Sequence, residues 1–173
     1  MKLLFIHIPR TGGRSITENE VKVKNAGHVF AKDIKDIKDY FSFTIVRNPY
    51  DRFMSSYYFH LVGYKGKREI SQEIHKYKNF RHFVENFHTF KYKDDIQFTP
   101  QYKFTENANI TSICKFEDIE FEWEWICLIL KIPDKKLPHI NNSKHFPWQI
   151  EYNNEMRKTV YKLYEKDFDL FNY

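Results

Sequence analysis

Cysteine is scarce in this chain, and the two present, Cys114 and Cys127, stand in neither CxxC nor metal-ligand spacing. Neither a disulfide framework nor a zinc site is supported, and both read as buried thiols. Glycine (5) and proline (6) are also few, and no repeat or low-complexity tract interrupts the 173 residues. That excludes a linker-rich chain and favours one domain, 1–173. No apolar run approaches the roughly 18 residues of a membrane span, and no charged segment followed by an apolar one opens the chain. The expectation is a cytoplasmic protein with no membrane partner. Acids are outnumbered, 23 Asp+Glu against 28 Lys+Arg, giving a net charge of +5. An anionic ligand suits that balance, but the excess is spread along the chain and mixed with acids, so nucleic acid is not expected.

What is abundant is aromatic: 17 Phe and 12 Tyr, mostly core, with some surface for stacking a purine or a sugar. The most informative stretch is the first, MKLLFIHIPRTGGRS. Residues 2–8 read as a strand covered on both faces, and Pro9 stops it. Gly12 and Gly13 let the backbone turn sharply and aim several N–H groups at one point, and a helix over residues 15–23 adds its own amide ends. Phosphate or sulfate fits such a place. Against the nucleotide loop GxxxxGK[ST], Gly13, Arg14 and Ser15 match, but Ile8 replaces the first glycine and a basic residue stands earlier, at Arg10. An ATP or GTP loop is disfavoured.

Further along, IKDIKDY (34–40) has apolar residues at helical spacing, and FSFTIV (41–46) reads as a second buried strand, so a parallel βαβ unit is expected. The strand ends in RNPYDRFMSS, where Asn48 suits an N-cap, Pro49 a first helical turn, and Asp51 the positive dipole end. Arg47, at the strand's carboxyl end, stands where open parallel sheets place ligand groups, and Ser55 would lie about one and a half turns into the helix. A structural ion pair is the alternative for Arg47. Residues 79–87 form a short helix capped by Asn79, 94–104 an irregular segment, and 110–116 a third strand followed by a helix with an acidic start. A last helix spans about 154–171.

IPRTGGRS resembles the 5′-phosphosulfate loop of the sulfotransferases, usually written with Lys-Thr-Gly, which binds 3′-phosphoadenosine 5′-phosphosulfate (PAPS). RNPYDR followed by Ser55 resembles the 3′-phosphate motif of the same family, Arg-Asp-Pro-(Tyr/Trp)-x-Arg with a serine eight positions after the first arginine. Asn48 for aspartate is the departure. The likeness spans nearly the whole chain and is closest to the carbohydrate O-sulfotransferase branch. It implies a P-loop-like three-layer α/β/α fold with a mainly parallel sheet, PAPS as donor, no metal, and a saccharide acceptor. Donor contacts implied are Arg10, Thr11, Gly12, Gly13, Arg14, Ser15, Arg47 and Ser55, with Ser143 and Lys144 from the loop NNSKH; Gln101 is placed near the acceptor. Arg10 stands where the family has a catalytic lysine; arginine keeps the charge without readily giving up a proton. Attack by an acceptor hydroxyl needs a base that titrates near neutrality, and His28, in the interval where family members carry a catalytic histidine, is best placed, with Glu18 and Glu20 as the fallback. Two other readings stand beside this one: a nucleotide binder without turnover, and a P-loop kinase, against which the loop chemistry weighs.

Overall fold

A computed structural model describes residues 2–18, 21–62, 68–132, 136–138 and 146–173. In chain order the strands are β1 (Lys2–Ile6), β2 (Lys24–Asn25), β3 (Tyr40–Val46) and β4 (Ser112–Lys115). The helices are α1 (Gly13–Thr17), α2 (Pro49–Leu61), α3 (Arg68–Ile74), α4 (Phe80–Glu85), α5 (Tyr102–Thr105), α6 (Ile119–Leu130), α7 (Trp148–Glu151) and α8 (Asn154–Phe171). Contacts group the chain into two compact units, residues 1–47 with 101–142, and residues 48–100 with 143–173.

The first unit holds the sheet, ordered β2-β1-β3-β4 with every pairing parallel. Its register puts Leu3 beside Phe41 and Phe5 beside Phe43, so alternate residues of both strands line one face. On that face Leu3, Phe5, Phe41, Phe43 and Ile45 pack with Ile16 of α1 and Trp123, Ile126 and Cys127 of α6. The other face, Leu4, Ile6, Ser42, Thr44 and Val46, is equally buried. A parallel sheet enclosed on both sides is the arrangement expected of a three-layer α/β/α fold.

The second unit is helical around an aromatic core. Phe53 and Tyr57 of α2, Phe80 and Phe83 of α4, Phe87, Phe90 and Phe98 of the following segment, and Tyr164 and Phe168 of α8 form one cluster. Two tyrosine hydroxyls in it are satisfied by backbone, Tyr164 donating to the Phe98 carbonyl at 2.8 Å and Tyr152 to that of Tyr50 at 2.9 Å. The helix starts follow the sequence: Asn48 accepts from the Tyr50 N–H at 3.0 Å with Pro49 opening α2, and Asn79 accepts from the His82 N–H at 2.9 Å to cap α4.

One expected element is absent. Residues 34–40 are not a helix; the crossover holds two single 3₁₀ turns, Ala31–Asp33 and Ile37–Asp39, with Asp36 left-handed between them. Ile34, Ile37 and Tyr40 recur every third residue, which a 3₁₀ turn satisfies as well as an α-helix does. The helix expected over 15–23 is also short, ending at Thr17.

Candidate functional site

In the order β2-β1-β3-β4 the chain leaves β1 for one side and returns to the other, so the carboxyl ends of β1 and β3 mark the point where strand order reverses. Ligands of open parallel sheets bind outside such a point. Here it is bounded by the loop after β1 and by Arg47 after β3.

The loop is held in a specific shape. Thr11, fully buried, donates its hydroxyl to the Ile8 carbonyl at 2.8 Å, and Ser15 donates its N–H to the Gly12 carbonyl at 3.0 Å. Gly12 is left-handed at φ 77°, and so is Arg10 at φ 67°, a conformation that costs a non-glycine residue roughly 1 kcal/mol or more. A Cβ on Gly13 would lie 2.0 Å from His7 Nε2, and one on Gly12 2.7 Å from the Phe116 ring. Both glycines are needed because rings already occupy their side-chain space. No hydrogen bond of the described residues uses the N–H groups of Thr11, Gly12 or Gly13. Three consecutive unspent amides are a donor set for an anion. The Ser15 amide, expected to join them, is spent within the loop. With α1 only five residues long, the donors are the loop's own amides rather than a helix dipole.

His7, one residue beyond the end of β1, lies against this loop. Its ring stacks on Phe5, packs on Gly13, and lies 4.3 Å from the His28 ring, centroid to centroid. Burial first, and the neighbouring His28 second, push its imidazole down to about 4. It is therefore neutral at pH 7. His28 is exposed, and its Nδ1 lies 2.7 Å from the His7 carbonyl oxygen. A carbonyl only accepts, so Nδ1 carries the hydrogen and the neutral ring keeps its lone pair on Nε2. That is the tautomer a general base needs.

Arg47 is braced from three directions. Its guanidinium donates to the Arg10 carbonyl at 3.2 Å and lies 4.3 Å from the centre of the Phe116 ring, the ring that also covers Gly12. Its peptide is clamped by Gln101, whose Oε1 accepts from the Arg47 N–H and whose Nε2 donates to the Arg47 carbonyl, both at 2.9 Å. Gln101 is fully buried, so it braces β3's end instead of facing an acceptor; a primary amide supplies the acceptor and donor that an added strand residue would.

Other expected residues are placed as follows. Arg14 turns outward, 2.6 Å from Glu18, which ties up both that arginine and the first fallback base. Ser55 is fully buried in α2. Glu20, Ser143 and Lys144 lie outside the described residues. Cys114 and Cys127 are both buried, and burial raises the Cys114 thiol to about 12, which leaves it unreactive. Among the described residues no group of three or more His, Cys, Asp or Glu side chains is placed to hold a metal ion, and no helix is long and apolar enough to cross a membrane.

A parallel α/β sheet with an amide-lined glycine loop at its switch point is an arrangement suited to phosphate-type or sulfate-type groups. The family model described as "Sulfotransferase family" matches residues 1–173, and the chain belongs to that family, whose reaction is sulfuryl transfer. No curated protein and no solved structure matches significantly.

Proposed function

We propose that this chain transfers the sulfuryl group of PAPS to a hydroxyl of a saccharide, as the carbohydrate O-sulfotransferases do. The observation that carries the reading is the run of unspent amides on Thr11, Gly12 and Gly13, with Arg10 beside them and Arg47 bonded to the Arg10 carbonyl. These amides and the Arg10 charge are assigned to the 5′-phosphosulfate, and the Arg47 fork to the 3′-phosphate. Ser55 offers no exposed surface for that contact, so the 3′-phosphate assignment rests on Arg47, which keeps 9% exposure. Ser143 and Lys144 are proposed as further donor contacts on the family likeness alone.

In the step itself the acceptor oxygen–sulfur bond forms as the sulfur–oxygen bond to the phosphate breaks. The acceptor proton passes to Nε2 of His28, and the electron pair leaves on the phosphate, giving a sulfate ester and adenosine 3′,5′-bisphosphate. Arg10 stabilises the charge on the leaving phosphate and gives up no proton. Sulfuryl transfer by this route requires no metal. The net charge of +5 makes an anionic saccharide the first acceptor to assay.

Two variants test the roles. Arg47→Ala is expected to weaken adenosine 3′,5′-bisphosphate by about 1.5 to 3 kcal/mol while sparing a ligand that lacks the 3′-phosphate. Equal loss for both ligands refutes the assignment. His28→Ala is expected to leave bisphosphate affinity unchanged and to slow transfer by roughly 10² to 10⁴. Undiminished transfer moves the base elsewhere.

A further inference from the structure

Helix α6 is apolar on both sides. Trp123, Ile126 and Cys127 face the sheet, yet on the opposite side Phe121 is 71% exposed, Trp125 44%, Leu128 77% and Ile129 45%. A helix apolar all round is a helix with something packed on each side. The exposed stripe is ordered: Phe121, Trp125 and Leu128 are spaced four and then three residues, the repeat by which two helices interlock along a seam. So many large apolar side chains bared on one helix mark an interaction surface rather than chance exposure.

The charges beside the stripe say what covers it. The first half of the segment is acidic, with Glu117, Asp118, Glu120, Glu122 and Glu124, and Lys131 follows the last turn. Glu124 and Lys131 are both exposed, and among the described residues neither has an ion-pair partner. They stand seven residues apart, Glu124 midway along the helix and Lys131 as the left-handed residue that ends it, so the acidic half and the lysine mark opposite ends of the stripe. When two copies of a helix pack antiparallel about a two-fold axis, like flanks face each other with their ends reversed. Glu124 of one copy then meets Lys131 of the other, twice over, while Trp125 and Leu128 fill the middle. The face is its own complement, which is what an isologous contact demands.

We propose that the outer face of α6 is a homodimer interface, formed by antiparallel packing of two copies through Trp125 and Leu128. The acidic half and the terminal lysine fix the antiparallel direction, since a parallel pair would bring the two acidic halves to the same end of the seam and leave Glu124 with no lysine opposite it. The candidate active site lies at the carboxyl ends of β1 and β3 and uses no residue of this face, so the interface is independent of the transfer reading.

Sedimentation equilibrium over about 1 to 200 µM protein tests it, because a self-association is read from its concentration dependence. The whole chain is expected to approach twice its 21.3 kDa at the upper end. Leu128→Glu, which changes an exposed position, is expected to keep its far-ultraviolet circular dichroism and to stay at the monomer mass. Lys131→Glu and Glu124→Lys, each alone, are expected to raise the dimer dissociation constant about tenfold, and the double swap to restore it. A monomer at every concentration overturns the proposal, and so does a dimer that Leu128→Glu leaves intact. A dimer in which the double swap is no better than the single changes overturns the antiparallel arrangement.

Discussion

Gly13→Ala is the sharpest probe of the loop, because the conflict it creates is with one identified ring. The new Cβ would sit 2.0 Å from His7 Nε2, 2.2 Å from Cδ2 and 2.7 Å from Cε1. Unstrained carbon contacts fall near 3.5 to 4.0 Å, so loop or ring must retreat by about 1.5 Å. The ring has little room to do so, being stacked on Phe5 on one side and set against His28 on another. Overpacking of this kind costs about 2 to 3 kcal/mol, readable as a lower urea midpoint at constant m-value. A loop displaced by that much also loses the alignment of its amides, so affinity for adenosine 3′,5′-bisphosphate is expected to fall at least about tenfold. The control is the double variant His7→Ala/Gly13→Ala, in which the space exists; the two changes are expected to be coupled favourably by about 1 to 2 kcal/mol. Full stability and affinity in Gly13→Ala, or no coupling in the double variant, would refute the idea that His7 buttresses the loop.

Two further outcomes follow from the same contacts. Gln101→Leu keeps the volume and strands the Arg47 N–H and carbonyl, so it is expected to destabilise the fold by roughly 2 to 4 kcal/mol in urea titration, against under 1 kcal/mol for an exposed control such as Lys103→Ala. For His7, the folded imidazole titrates at about 4 against 6.5 when unfolded, so between those values the unfolded chain binds more protons. Stability is then complete above about pH 6.5 and declines as pH falls toward 4, by up to about 3 kcal/mol; in His7→Gln that part of the acid-side slope disappears from the unfolding midpoint.

The parts of the molecule legible in the sequence are those set by local chemistry. The apolar run before Pro9, the β-branched run before Arg47, and the caps at Asn48 and Asn79 each declare themselves within a few residues, and each is where it was expected. What stayed hidden depends on distant partners. A strand of two residues, Lys24–Asn25, carries no periodicity and exists because β1 offers it an edge. Nothing near Gln101 announces that its amide will meet the Arg47 peptide 54 residues earlier in the chain. His7 sat in a strand-like run, and only the approach of Gly13 and His28 turns it into part of the site. Helical spacing misled at residues 34–40 because a three-residue repeat does not distinguish an α-helix from a 3₁₀ turn.

In the proposed reaction the amides of Thr11, Gly12 and Gly13, with Arg10 and Arg47, hold the bisphosphate part of the PAPS donor. Isothermal titration with adenosine 3′,5′-bisphosphate, alongside ATP with magnesium, tests it most directly. One-to-one binding of the bisphosphate is expected without any metal, at least about tenfold tighter than ATP. Tight magnesium-dependent binding of ATP with no binding of the bisphosphate would contradict it.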